Sequence, residues 1–278
     1  MLAHLLKKKS GAKHIFTCHG FFKIRFFRKL FPCWPDATIA ISESVQEHLL
    51  RDFKADEKDV FVVHNGIDLE KFKIPALPAG RQNSKFKDDM KKRYGLRQGP
   101  VIGIVGRLSD VKGHIYLIQA MPCVLKSFPE TQLLIVGDGK MKKELMRMVE
   151  NLGLKGNVVF VPCVSDTREA FCAMDVFVMP SLKEGLGLAL MEAMASGLPV
   201  IGSDVGGIRS LIQEGENGLL VKPSNVTGLS QACLRILGDP QKSRSLGEAA
   251  RAFIHRNFSQ DKMVTQTEEV YLKCLNDS

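Results

Sequence analysis

The sequence of 278 residues contains no apolar run of about 18 residues, so it offers no transmembrane helix. Its first residues lack the apolar core of a signal peptide, and the expectation drawn from them is a cytoplasmic protein. Seven cysteines (Cys18, Cys33, Cys123, Cys163, Cys172, Cys233, Cys274) include no C-x-x-C pair. They read as reduced thiols, most in apolar surroundings, and argue against zinc ligands or a disulfide framework. No G-x-x-x-x-G-K-[ST] string occurs, which excludes a P-loop, and Gly137-Asp138-Gly139 lacks the third glycine and helix-opening context of a dinucleotide fingerprint. With no D-x-D string and no His/Cys cluster at metal spacing, no metal and no cofactor is expected. Acid is missing from the first 35 residues, where Lys7, Lys8, Lys9, Lys13, Lys23, Arg25, Arg28 and Lys29 stand unopposed, against a net charge of +9 for the whole chain. From residue 100 onward 19 basic and 19 acidic side chains cancel, so any basic partner surface belongs to the N-terminal part. No nucleic-acid partner is expected.

What is present reads as ordinary globular protein, 45% hydrophobic and 25% charged, and long enough for two domains. From residue 100 short apolar runs alternate with helical periods. Val101 to Val105, Leu133 to Val136, Val158 to Val161, Val176 to Met179 and Val200 to Ile201 read as buried strands. The alternation predicts an α/β fold, a doubly wound parallel sheet with helices on both faces. Arg107, Val136-Gly137-Asp138-Gly139, Ser181 and Ser203 all follow strands, so their loops share the rim where such sheets bind ligands. Before residue 75 the pattern predicts a helix near Ala3 to Lys9, strands at His14 to Cys18, Thr38 to Ile41 and Val60 to Val63, and a helix capped by Ser42. The domain reading is 1–74 as a partial N-terminal domain, 75–95 as an exposed linker or insertion, 96–256 as the C-terminal domain, and 257–278 as a helix returning toward the N-terminal domain. Helices are expected at about 240 to 256 and 260 to 275.

The stretch Glu184-Gly185-Leu186-Gly187-Leu188-Ala189-Leu190-Met191-Glu192 sets two acids around a glycine-rich opening into an apolar helix. Glycine lets backbone approach a ligand closely, and the first turn of a helix offers unpaired N–H groups and a positive dipole end to an anion. The carboxylates can accept hydrogen bonds from sugar hydroxyls on either side. A glycosidase acid and base sit roughly 5 to 9.5 Å apart, whereas eight residues of helix span about 12 Å, which disfavours hydrolysis if both acids lie on one helix. Capping of a helix by Glu184, with Glu192 as a surface residue, is the plainer alternative.

Several motifs in order resemble the retaining GT-B glycosyltransferases of family GT4. They are Asp175-Val176-Phe177-Val178-Met179-Pro180-Ser181, Glu184 to Glu192, Ala193-Met194-Ala195-Ser196-Gly197-Leu198-Pro199-Val200 and Asp204-Val205-Gly206-Gly207, with Gly106-Arg107-Leu108-Ser109-Asp110-Val111-Lys112-Gly113, Asn65-Gly66-Ile67-Asp68 and His19-Gly20 upstream. The resemblance runs from about His14 to about Leu237. It implies two Rossmann-like domains and a nucleoside-diphosphate sugar, a UDP- or GDP-sugar, as donor. It places Arg107 and Lys112 on the diphosphate, with Gly185, Gly187 and Leu188 presenting backbone N–H groups to it. Glu192 falls on the ribose, and Glu184 and His19 around the transferring sugar as catalytic residues. It also implies a glycan or lipid-linked acceptor and transfer without a metal. An exposed loop pair for Arg107 and Lys112, and a structural histidine at His19, are the alternatives from the residues themselves.

Two features depart from that pattern. Met1 stands just ahead of the helix before His14, so the family's opening strand and glycine-rich loop have no counterpart and the N-terminal Rossmann-like domain reads as incomplete. A non-catalytic nucleotide-sugar-binding fragment or subunit is therefore the second reading, and a sugar-nucleotide epimerase of the same fold the third. Residues 21–31, Phe21-Phe22-Lys23-Ile24-Arg25-Phe26-Phe27-Arg28-Lys29-Leu30-Phe31, wind into a helix with an apolar side and a basic side. Such a helix either packs its apolar side inward or makes a peripheral contact with the inner face of a membrane.

Overall fold

The computed structural model describes residues 10–22, 35–72 and 81–276. The expected helix at Ala3 to Lys9 and nearly all of segment 21–31 lie outside them. The chain divides into two compact units, one made of Met1–Ile67 with Asn257–Ser278, the other of Asp68–Arg256.

In the first unit, strands β1 (Ile15–Cys18), β2 (Ala37–Ala40) and β3 (Val60–Val62) form a parallel sheet in that order, with Ile15 opposite Ala37 and Thr38 opposite Val60. Helix α1 (Glu43–Phe53) links β2 to β3. It starts at Ser42 because the serine hydroxyl accepts the Val45 N–H at 3.3 Å, and it buries Val45 and Leu49, one turn apart. A parallel strand pair needs such a crossover to cover the apolar side chains between its strands. The core of this unit joins Ala37, Ile39 and Val63 to Val270 and Cys274, which come from the last helix, Gln260–Asn276. Ile67 fastens that return: its N–H donates to the Phe258 carbonyl at 3.0 Å, and its own carbonyl accepts from Gln260 N–H at 3.1 Å.

The second unit opens with helix α2 (Arg81–Arg93) and continues through β4 (Val101–Val105), α3 (His114–Ser127), β5 (Gln132–Val136), α4 (Lys142–Asn151), β6 (Val158–Val161), α5 (Arg168–Ala173), β7 (Val176–Met179), α6 (Leu188–Ala195), β8 (Val200–Ser203), α7 (Ile208–Leu211), β9 (Leu219–Val221), α8 (Val226–Gly238) and α9 (Pro240–Asn257). The last helix of the chain is α10. Six parallel strands run β6-β5-β4-β7-β8-β9. Ile102, Ile104, Leu133, Ile135, Val176 and Val178 share a core with Leu117 and Met121 of α3, Leu145 of α4 and Cys233 of α8. Phe177, adjacent to Val176 and Val178 on β7, meets Phe171 of α5 edge to face at 5.7 Å. Strands buried on both faces need apolar residues at every position, which is why these runs do not alternate. Each fully buried Leu, Ile or Phe contributes roughly 1.5 to 3 kcal/mol of transfer free energy.

The expected linker at 75–95 differs from what is found. Residues 81–93 are helical, and α2 is tied into the second unit, which starts at Asp68 rather than residue 96. The mixed charge that reads as exposure is partly internal. Lys87 Nζ lies 2.6 Å from Asp175 Oδ1, and the buried Lys91 Nζ donates to the Gly99 carbonyl at 2.7 Å. Long lysine stems cover apolar surface while their charged ends reach a partner. Asp175 also accepts the Val101 N–H at 2.8 Å, so one carboxylate joins α2, β4 and β7 at the amino ends of the strands. At the opposite ends the strand order reverses between β4 and β7, and the crevice of such a sheet opens there.

Candidate active site

The loops after β4 and β7 meet at this switch point. Leu182 N–H donates to the Val111 carbonyl at 2.8 Å, which sets the short turn Asp110–Lys112 beside Ser181 to Glu184. Lys112 Nζ lies 2.5 Å from Glu184 Oε2, the lysine 28% and the glutamate 13% exposed. Ser181, fully buried, donates its hydroxyl to the same oxygen at 3.4 Å. The loop after β8 holds the Glu184 backbone from the other side, where Gly207 N–H donates to the Glu184 carbonyl at 3.0 Å. Gly206 has φ +46°, and a Cβ there collides with that same carbonyl, so the loop packs this close only with glycine.

Glu184 precedes helix α6, so the helical rise between it and Glu192 does not measure their separation. Gly187, at φ 98° and ψ 64°, makes the turn into α6, and its carbonyl accepts from Leu190 and Met191 N–H. Leu188 is half exposed, so the entry of α6 reaches the surface there, while Gly187, Leu190 and Met191 around it are buried. The opening N–H groups of such a turn have no carbonyl four residues back, and the positive end of the helix adds to them.

Glu192 stands about one turn further along α6, partly buried, with its Oε2 accepting the Thr167 hydroxyl at 3.0 Å. Burial pushes its carboxyl above the usual range; the Thr167 hydroxyl opposes that shift and the negative charge of Asp166 adds to it. Asp166 is itself held below the ordinary carboxylate range, first by its hydrogen bonds to Arg168. On the neighbouring rim Cys163 N–H donates to Asp138 Oδ2 at 2.7 Å, and this bond, followed by the one from Lys142, lowers the Asp138 carboxyl.

His114, the first residue of α3, follows Lys112-Gly113 directly and is 2% exposed. Neither ring nitrogen finds a partner among the described residues. Burial, and after it the charge of Lys112, lowers its pKa to about 4, so the ring is neutral near pH 7.

The structure thus joins Lys112 to Glu184, sets Gly185, Gly187 and Leu188 between that pair and Glu192, and places Arg107 exposed at the mouth of the β4 loop, where no described residue pairs with it. His19 belongs to the other unit, exposed just after β1. Thr167, Ser181 and His114 are contributors that the motifs do not single out. Ser181 carries the weak signal of following a strand; Thr167 carries none. Among the described residues no three His, Cys, Asp or Glu side chains gather so as to hold a metal ion, and no helix is long and apolar enough to cross a membrane.

The sequence profile of the glycosyl transferases group 1 matches residues 86–253, from within α2 to within α9. The chain belongs to that family. A second profile, glycosyltransferase family 4, matches residues 1–71 of this group 1 glycosyl transferase. Among its relatives, the N-acetyl-alpha-D-glucosaminyl L-malate synthase of Bacillus anthracis is 31% identical over 246 residues, which cover 87% of this chain and 61% of that protein. The GDP-mannose-dependent alpha-(1-6)-phosphatidylinositol monomannoside mannosyltransferase of Mycolicibacterium smegmatis is 35% identical over 190 residues, 63% of this chain and 50% of that one. The chain therefore spans about half to three-fifths of the length of such relatives. The crystal structure of a glycosyltransferase from Rickettsia africae superposes with a TM-score of 0.85 at 26% identity, over 99% of this chain and 74% of that one. The GT-B glycosyltransferase fold expected from the motifs is the fold found, with parallel α/β sheets in both units.

Proposed function

We propose that this protein is a retaining glycosyltransferase that moves a sugar from a nucleoside-diphosphate sugar, a UDP- or GDP-sugar, to a glycan or lipid-linked acceptor. The observation that carries the reading is the Lys112–Glu184 pair at the switch point, next in the chain to the glycine-rich entry of α6, where Leu188 reaches the surface. A departing nucleoside diphosphate takes the bonding electron pair from the anomeric carbon and gathers negative charge. Fixed cations and helix-opening N–H groups meet that charge as it develops. In this reading Lys112 and Arg107 neutralise the diphosphate, Gly185, Gly187 and Leu188 offer it backbone N–H groups, Glu192 accepts from the ribose hydroxyls, and Glu184 accepts from the sugar. His19 is carried over from the motif resemblance as a further candidate catalytic residue. These side chains supply the charge stabilisation, so the transfer needs no metal. The Mycolicibacterium relative is named for a GDP-sugar and a lipid acceptor, which supports that class of chemistry. Residues 21–31 are the candidate for a peripheral membrane contact.

The test is direct. Titration calorimetry with UDP and with GDP is expected to show binding of one of them without added divalent metal; a folded sample that binds neither ends the donor reading. Incubation with the matching α-linked nucleotide sugars and a panel of glycan and lipid acceptors is expected to give α-linked products by proton NMR, and β-linked products end the claim of retention.

A further inference from the structure

The N-terminal cap of α5 is built in an unusual way. Thr167 occupies the cap position, where a threonine hydroxyl ordinarily accepts a backbone N–H from the first turn and contributes about 1 kcal/mol. Here it makes no such bond. The residue before it serves the helix start instead: Asp166 Oδ1 accepts the Arg168 N–H at 3.0 Å, and the Arg168 guanidinium holds the same carboxylate through Nε at 2.9 Å and 3.0 Å and through a terminal nitrogen at 2.5 Å. Thr167 is thereby released, and its hydroxyl reaches Glu192 Oε2 at 3.0 Å, 25 positions away on another helix.

A hydroxyl has one proton, and an ionised carboxylate only accepts, so Thr167 is the donor. No other described residue donates to the Glu192 carboxylate. The terminal torsion of a glutamate is broad and roughly two-fold, so an unanchored carboxylate has to be ordered when a ligand arrives. One fixed bond to Oε2 settles that torsion in advance. It leaves Oε1, and the second lone pair of Oε2, open to two further donors.

We propose that Thr167 is a positioning residue that aims the Glu192 carboxylate at the vicinal hydroxyls of the donor's ribose. The inference rests on the donor-site reading above and adds to it the residue that sets ribose recognition. Glu192 alone would accept from a ribose; Thr167 makes it discriminate.

The test is a cycle between a protein hydroxyl and ligand hydroxyls. The affinities of whichever of UDP or GDP binds, and of its 2′,3′-dideoxy counterpart, are measured on wild type, Thr167→Val and Thr167→Ser by calorimetry. Wild type is expected to prefer the ribonucleotide about tenfold or more, since two charge-assisted hydrogen bonds are at stake. Thr167→Val is expected to reduce that preference to less than about threefold, leaving the dideoxy affinity where it was, and Thr167→Ser to restore it. Equal weakening of both nucleotides by the valine overturns the inference and leaves Thr167 a packing residue. An unchanged preference overturns it as well. If wild type binds neither nucleotide, the donor-site reading itself has failed, whereas binding without the valine effect refutes the Thr167 role alone.

Discussion

Lys112 and Glu184, 72 positions apart in sequence, form a 2.5 Å ion pair that ties the loop after β4 to the loop after β7. The two residues assigned to opposite parts of the donor, its diphosphate and its sugar, hold each other. In the proposed reading, a diphosphate entering this site competes with Glu184 for Lys112, and the carboxylate set free then turns to the sugar. The site therefore starts with its charges compensated, which avoids the cost of a half-buried ion without a partner.

This exchange predicts an asymmetric response to Glu184→Gln. Removing the competing charge is expected to tighten the binding of UDP or GDP severalfold, while the transfer of sugar falls by at least about a hundredfold, the loss of roughly 3 kcal/mol of transition-state stabilisation. Calorimetry on the sugarless nucleotide is the discriminating measurement. Weaker nucleotide binding in the variant would show that Glu184 serves to orient Lys112.

Lys112→Met removes the cation from both partners. Nucleotide affinity is expected to fall about ten- to hundredfold, the range for a lost charge-assisted hydrogen bond. Stability should drop by about 1 to 3 kcal/mol, because Glu184, 13% exposed, loses its counterion and keeps the Ser181 hydroxyl at 3.4 Å. A normal nucleotide affinity in this variant would remove Lys112 from the donor site.

His114 makes the fold sensitive to acid. Its pKa is lowered to about 4 in the folded chain, below the ordinary histidine value of about 6.5. Between those values the unfolded chain binds more protons, so stability is full above about pH 6.5 and falls as pH drops toward 4, by roughly 3 kcal/mol in all. His114→Leu is expected to flatten urea midpoints across this window. With neither ring nitrogen partnered, the leucine variant should be at least as stable as wild type at pH 7. A variant with the same acid profile as wild type would place the sensitivity elsewhere.

Asp175→Ala tests the staple at the other ends of the strands. It strands the buried Lys91, 3.6 Å from Asp175 Oδ2, together with Lys87 and the Val101 N–H. A loss of about 3 to 5 kcal/mol follows from leaving a buried charge without its counterion, read from the denaturant midpoint. Nucleotide affinity in the folded fraction should not change, because the staple sits at the amino ends of β4 and β7 and the ligand loops at their carboxyl ends. An affinity loss matching that of Lys112→Met would contradict this separation.

The strands were legible because burial on both faces writes itself as continuous apolar runs, as in Val101 to Val105 and Val176 to Met179. Leu219–Val221 is an apolar run of only three residues, too short to announce a strand by itself. Helix α2 was hidden for a different reason: Lys87 and Lys91 look solvated in sequence, and only the folded chain shows that both reach Asp175. In the site, residue types were readable from Glu184 to Glu192, since glycines before an apolar helix have a local meaning. Pairing was not, because Lys112 meets Glu184 through two loops far apart in sequence. Thr167 was silent altogether. A threonine at a helix start reads as a cap, and nothing in the sequence says that Asp166 has taken over that duty.

The closure of the first unit by α10 has a consequence for how the protein is made. Gly66 N–H reaches Met263 Sδ at 3.2 Å across 197 positions, and Val270 and Cys274 complete the core beneath β2. During synthesis Asp68–Arg256 leaves the ribosome whole, and a unit that has emerged folds as a unit. The strands β1, β2 and β3, made ahead of that unit, are thus covered only after it, when α10 arrives. A stop codon within α10 removes Val270 and Cys274 from that core, exposing β1, β2 and β3 to aggregation or proteolysis.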